Sequence, residues 1–166
     1  MTNTTSRLGL PLLQAGQAQK EVFHNEALDA LDAVVQPAAL AIGGNGPPPS
    51  PQPGQSWIVG SAPIGDWSGH AGALASWGDG GWRFTAPFEG LCVWVVGSGL
   101  WARWTAGGWV SGTIPVSSIT VGGVQVLGAR QAAIAAPAGG ATADGEARAT
   151  ISSILVALRS HGLIAG

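Results

Sequence analysis

The chain has 166 residues, of which 10% are charged; it carries a formal net charge of −2 and 27 glycines. That length holds one ordinary domain or two small ones. Soluble domains carry roughly a quarter charged residues, so a surface this sparse calls for cover from copies or partners, and its near-neutral balance leaves no footprint for nucleic acid.

The first segment, 1–42, reads as an arm followed by a helix. Arg7-Leu8-Gly9-Leu10-Pro11-Leu12-Leu13 is apolar but broken by Gly9 and Pro11, and Gln14, Gln17 and Gln19 then alternate with small residues. Leucines and amides suit docking on another chain, which makes Leu8, Leu10, Leu12, Leu13, Gln14, Gln17 and Gln19 the anchoring candidates. Nothing here resembles a cleaved secretion signal, and no segment reaches transmembrane length. Synthesis in the cytoplasm without membrane insertion is the expectation. Asn25 is a suitable N-cap for a helix ending before Pro37, with Leu28, Leu31, Val34 and Val35 as its apolar stripe.

Residues 43–54 hold five prolines. Proline fixes its own backbone and extends its predecessor, so the stretch reads as a polyproline-like spacer between the helix and a tryptophan-rich region.

That region, residues 55–113, contains all eight tryptophans, and the chain has no tyrosine. Trp77-Gly78-Asp79-Gly80-Gly81-Trp82 and Trp104-Thr105-Ala106-Gly107-Gly108-Trp109 are each a glycine turn between two tryptophans. Val96-Gly97-Ser98-Gly99-Leu100 supplies a further turn. These signals predict hairpins of an antiparallel meander, a small sandwich or barrel. The single cysteine, Cys92, reads as a buried strand residue. A compact core of Trp57, Trp77, Trp82 and Trp94 is one use of the indoles. A small domain cannot enclose eight of them, so others face a partner or a sugar; Trp67 and Trp101, beside turns, are the exposed candidates. With His70 and Arg83 they form the candidate sugar or interface contacts.

Residues 114–166 carry a second hairpin signal, Val121-Gly122-Gly123-Val124, and a helix over about 145–161 capped by Asp144 or Thr142. Ala147, Ile151, Ile154 and Leu158 are spaced four, three and four, a coiled-coil seam widened by Leu155; Ile151, Ile154, Leu155 and Leu158 are the oligomer or fibre candidates. Gly162 suits the position after the helix. The fold class expected is therefore mainly β with flanking helices.

Catalytic patterns are missing. No serine has the glycine spacing of a nucleophile elbow, and no phosphate loop occurs. His24, His70 and His161 lack a second ligand at metal spacing. Asp66 and Asp79, a conceivable glycosidase pair, sit beside glycine in turns, where aspartate is expected for backbone reasons. The reading is a non-enzyme without cofactor or metal.

Three stretches carry a family resemblance: Arg7-Leu8-Gly9-Leu10-Pro11; Ala15-Gly16-Gln17-Ala18-Gln19-Lys20-Glu21; and His24-Asn25-Glu26-Ala27-Leu28. The chain continues in kind with Gly54-Gln55-Ser56-Trp57, Trp67-Ser68-Gly69-His70, Gly81-Trp82-Arg83-Phe84 and Pro87-Phe88-Glu89-Gly90. Together these resemble a domain family of unassigned function in bacterial prophages and gene transfer agents. The ending, from Gly128-Ala129-Arg130-Gln131 to His161-Gly162-Leu163-Ile164, resembles a unit shared by phage tail and fibre proteins. The resemblance implies a virion component: a head spike, on a capsid vertex, that helps particles adhere to host capsular polysaccharide. Because the chain matches only the shared part, the expectation is a spike base joining capsid protein to a fibre protein, released with the particle on lysis. Self-association accompanies it, with five copies at a vertex or three in a fibre. The alternative is a module that itself binds the polysaccharide.

Overall fold

A computed structural model describes residues 3–14, 16, 20–140 and 144–165. The chain forms two compact units, Met1–Thr113 and Ile114–Gly166. It is mainly β, with ten strands and two helices among the described residues and no closed barrel.

The first unit opens with helix α1 (Lys20–Val34), then short strands β1 (Ala38–Ala39) and β2 (Ile42–Gly44). Six longer strands come next: β3 (Ser56–Val59), β4 (Leu74–Gly78), β5 (Gly81–Thr85), β6 (Cys92–Val95), β7 (Leu100–Thr105) and β8 (Gly108–Ser111). They build two four-stranded sheets, β2-β3-β4-β5 and β1-β6-β7-β8. Each is an antiparallel meander of three strands with one short strand added in parallel, Ile42 opposite Ile58 in the first and Ala38 opposite Trp94 in the second. The meander expected from the turns is thus two meanders, tied together because 38–44 lends a strand to each. The sheets share a core in which Ile58 and Leu74 pack with Val93, Val95 and Ala102.

The tryptophan turns are tighter than the spacing suggested. Gly78 pairs with Gly81, and Thr105 with Gly108, which leaves two-residue loops, Asp79-Gly80 and Ala106-Gly107. Gly81 and Gly108 take φ of 98° and 117°, a conformation that other L residues rarely adopt.

The proline stretch does not divide the helix from the sheets. The Gly54 amide donates to the Trp77 carbonyl at 2.8 Å and the Ile64 amide to the Asn45 carbonyl at 2.7 Å. The near end, Gly43 and Gly44, is itself part of β2, and the far end is bonded to β4, while Pro47, Pro48 and Pro51 are half-buried.

In the second unit β9 (Ile119–Val121) and β10 (Val124–Leu127) form the glycine hairpin, and α2 (Gly145–Ser160) comes after it. Gly122 and Gly123 both have positive φ, 58° and 81°, as a two-residue type I′ turn requires. The Asp144 carboxylate caps α2 by accepting from the Ala147 amide at 2.9 Å; Thr142 lies outside the described residues. Gly162, φ 73°, ends the helix. Leu155 and Ile164 are the buried apolar residues of this unit among those described.

Candidate interaction surfaces

Helix α1 begins at Lys20, so Asn25 is not its cap. Asn25 sits one turn in, where its side chain both accepts from the Leu13 amide at 2.9 Å and donates to the Leu13 carbonyl at 3.0 Å. The arm is accordingly no free strap. Thr4 pairs with Pro11 in a short loop laid on α1. At the centre of that contact is Asp32, which is buried. Its carboxylate accepts from the Thr5 hydroxyl at 2.8 Å and from the Arg7 and Leu8 amides at 2.9 and 2.6 Å. The Arg7 guanidinium donates to the carbonyls of Asp32, Val35 and Gln36. The last turn of α1 has no basic residue of its own, so Arg7 supplies both the missing donors and the positive charge that a helix C-terminus favours.

This contact splits the stripe expected to be buried, of which Leu28 and Val34 are half-buried. Asp32 and Ala33 point inward, whereas Leu31 and Val35 are exposed and Phe23 is 80% exposed. The arm satisfies the polar side of α1 and leaves half of the apolar stripe open. Among the anchoring candidates, Leu8 and Gln14 are exposed and Leu10, Leu12 and Leu13 half-buried; Gln17 and Gln19 lie outside the described residues.

Arg83, expected to be a polar contact for a ligand, instead fastens α1 to β5. Its guanidinium pairs with Glu26 and lies 3.1 Å from Asp29. The hydrogen bond from Arg83 holds the Glu26 carboxyl below the ordinary carboxylate range. Burial raises that of Asp29, against the pull of Arg83.

Six tryptophans stand in directly opposed cross-strand pairs: Trp77 with Trp82, Trp94 with Trp101, and Trp104 with Trp109. Each pair is edge-to-face, with centroids 5.0, 5.4 and 5.6 Å apart, the geometry the ring quadrupole prefers. Trp67 corrects the expectation of exposure. It is 1% exposed, carried by the one-turn 3-10 helix Gly65–Trp67 down onto the face of β3-β4-β5. There its ring meets Trp82 at 5.3 Å and Trp57 at 6.5 Å. His70 lies flat on Phe84 at 3.7 Å. Trp67, His70 and Arg83 therefore serve the fold's own packing and do not make a common platform.

Trp101 is open as expected, 44% exposed, and its partner Trp94, expected in the core, is open as well. Strand β6 alternates, Val93 and Val95 inward, Cys92 and Trp94 outward. That alternation exposes Cys92, correcting the buried reading. The outer face of β6-β7 thus shows an indole pair beside a thiol.

An open cleft of about 420 Å³ lies elsewhere in this unit, lined by Ile42, Ile58, Val59, Gly72, Trp104 and Trp109 among others, none of them charged. The Trp109 indole N–H donates to the Gly72 carbonyl at 2.7 Å, which fixes that wall. No sequence signal separated this pair from the Trp77 pair, because both have the same spacing.

In the second unit the seam residues Ile151 and Ile154 are exposed and Leu158 is half-buried, whereas Leu155 is buried within the unit. No group of three or more histidine, cysteine, aspartate or glutamate residues is placed to hold a metal among the described residues. Nor is any described helix long and apolar enough to cross a membrane.

Residues 24–110 match a family described as a protein of unknown function, DUF2793, and that span is just over half of the chain. The chain belongs to this family. The DUF2793 span starts one turn into α1 and stops inside β8, so it takes in both sheets, the tryptophan pairs and the Arg83 ion pairs. The arm and the second unit lie outside it. No curated protein matches the chain.

Proposed function

We propose that the protein is a structural subunit of a phage-like particle, a head spike base at the capsid vertex that links capsid protein to a host-attachment fibre. One observation carries this reading: both units leave apolar surface open. The open faces are the outer side of α1 around Phe23, the Trp94–Trp101 pair, and the seam of α2. Exposed apolar patches of this kind mark association sites in soluble proteins, and a chain with few charges has little else to keep such faces apart in solution. The resemblance of the arm and tryptophan-rich region to prophage and gene-transfer-agent proteins, and of the ending to phage tail and fibre proteins, supplies the setting. The role is non-enzymatic and needs no cofactor, and the finished place of the protein is the particle surface.

The test is mass spectrometry of purified particles. The chain is expected to co-purify with capsid protein, and Phe23→Asp to lower its occupancy several-fold while tryptophan emission stays unchanged. Absence from particles, or full occupancy of the variant, overturns the respective claim of particle membership or of α1 docking.

A second reading, a carbohydrate-binding module for host capsular polysaccharide, is favoured by the uncharged cleft that Trp104 and Trp109 help to line. Saturable quenching of tryptophan emission by the polysaccharide, lost in Trp104→Ala, supports it. Quenching that is absent removes it.

A further inference from the structure

Helix α2 repeats apolar residues on a face that it does not use to hold its own unit together. In heptad terms Ala147 and Ile154 take d, and Ile151 and Leu158 take a. Ile151 and Ile154 are 45% and 53% exposed, whereas Leu155, on the flank of the seam, is 4% exposed. The flanking positions carry Arg148, Thr150, Leu155 and Ala157, so no acidic residue faces an arginine across the seam. Arg148 donates to the Gly139 carbonyl of its own chain, and Arg159 to that of Ile134. No charge code selects a foreign partner, and a chain with the same neutral seam fits it.

The hairpin adds a second open face. Val121 pairs with Val124 and Ile119 with Leu127, while Thr120 and Gln125 take the other side. A register shift between Gln125 and Leu127 returns Leu127 to the apolar side. All four apolar side chains are exposed. A lone two-stranded hairpin is marginal in water, and α2, at 16 residues, is barely past the roughly 12–15 residues below which isolated helices are marginal. Neither element is complete within one chain.

We propose that the second unit is a trimerisation module, in which α2 seams of three copies run in parallel about one axis and cover faces that the single chain leaves open. Two features set the number. Isoleucine occupies both a and d, at Ile151 and Ile154, and the next a position is leucine, at Leu158; both patterns favour three or four strands over two. Three is the smallest closed ring that this core chemistry prefers. The inference deepens the self-association in the proposed function, and it bears on placement, since three copies suit a fibre and five a vertex.

Sedimentation equilibrium of the full chain decides it. The expected mass is three times the 16.6 kDa of one chain. Ile154→Leu together with Leu158→Ile puts isoleucine at a and leucine at d, the pattern of dimers, and should bring the mass to two chains. Ile154→Asn should bring it to one. All eight tryptophans lie in the first unit, so their emission reports only that unit, and a retained helical circular-dichroism signal from α2 separates lost assembly from lost folding of the second. A wild-type mass of one or five chains, or an Ile154→Asn protein still of three, overturns the proposal. A three-chain protein absent from particles overturns the particle role and leaves this one standing, whereas five chains found in particles do the reverse.

Discussion

The buried Asp32 carboxylate accepts from the backbone amide of Arg7 at 2.9 Å, while the Arg7 guanidinium returns to close the carbonyl end of the helix that carries Asp32. Two residues of opposite charge thus bind each other's backbones, and the arm becomes part of the α1 structure. Asp32→Ala leaves the Thr5 hydroxyl and two amides without their acceptor. Hydrogen bonds to a charged group are worth about 1.5–3 kcal/mol each, but water reaches the opened site, so the expected loss is about 2–4 kcal/mol in urea unfolding. Asp32→Asn keeps one oxygen and should lose roughly half as much. Equal stability of Asp32→Ala and wild type would show that the arm contact contributes nothing. Deleting the arm should destabilise this unit for the same reason.

Trp67 and Trp101 both stand beside turns in the sequence, yet one is enclosed by Trp57 and Trp82 and the other is open to solvent. Emptying the Trp67 site should cost about 3–5 kcal/mol on replacement by alanine, the range for a buried aromatic. At Trp101 the expected loss is a cross-strand pair worth about 0.2–1 kcal/mol. Parallel unfolding curves of Trp67→Ala and Trp101→Ala test the contrast, and a ranking with Trp101 the costlier would contradict the packing described.

The same contrast marks where local sequence stops carrying information. The turns were legible because Gly-Gly and Trp-turn-Trp spacings act locally, and the seam and caps of α2 come from helical period and a single carboxylate. Strands β1 and β2 were not legible. Two alanines and an Ile-Gly-Gly carry no alternation, and they become strands only because β6 and β3 offer edges. Burial failed for a related reason. Asp32 goes inside because residues 25 positions away satisfy it, and Trp67 goes inside because a 3-10 turn swings it over a sheet. Contacts made across the chain leave no mark in a window of neighbours. The cleft lined by Ile42, Ile58, Trp104 and Trp109 needed both sheets to be in place.

The Arg83 ion pairs give a pH signature with opposing parts. The Glu26 carboxyl is held low by its hydrogen bond from Arg83, so its stabilisation is complete above the ordinary carboxylate range and fades as pH falls through the lowered value. Asp29 is held high, chiefly by burial, so the folded state grips its proton and stability falls as pH rises from the ordinary carboxylate range through the raised value. Glu26 is exposed and Asp29 half-buried, and solvent screening limits each effect to less than about 1 kcal/mol. Glu26→Gln should flatten the acid limb of melting temperature against pH, and Asp29→Asn should flatten the limb on the side of rising pH. Profiles identical to wild type in both variants would mean that neither carboxyl titrates away from its ordinary range in the folded protein.

Three glycines separate the cost of a backbone conformation from the cost of a contact. Gly69 has φ 84° with open space where a Cβ would stand, so Gly69→Ala should lose about 1–2 kcal/mol to the left-handed conformation alone. Gly72 has φ 74°, and its Cβ would also meet the Trp104 ring at 3.3 Å; Gly72→Ala should lose more and perturb tryptophan emission, because that ring must shift. Gly60 lacks the positive φ, but its Cβ would come within 2.5 Å of the Gly43 carbonyl oxygen. The Gly60 amide donates to the Gly44 carbonyl at 2.7 Å, so relief requires parting β2 from β3. Gly60→Ala should therefore destabilise by about 1–3 kcal/mol, the usual range for forced overpacking, with faster amide exchange along β2. Were Gly60→Ala as stable as wild type while Gly69→Ala was weakened, close approach between β2 and β3 could not be what holds the short strand in its sheet.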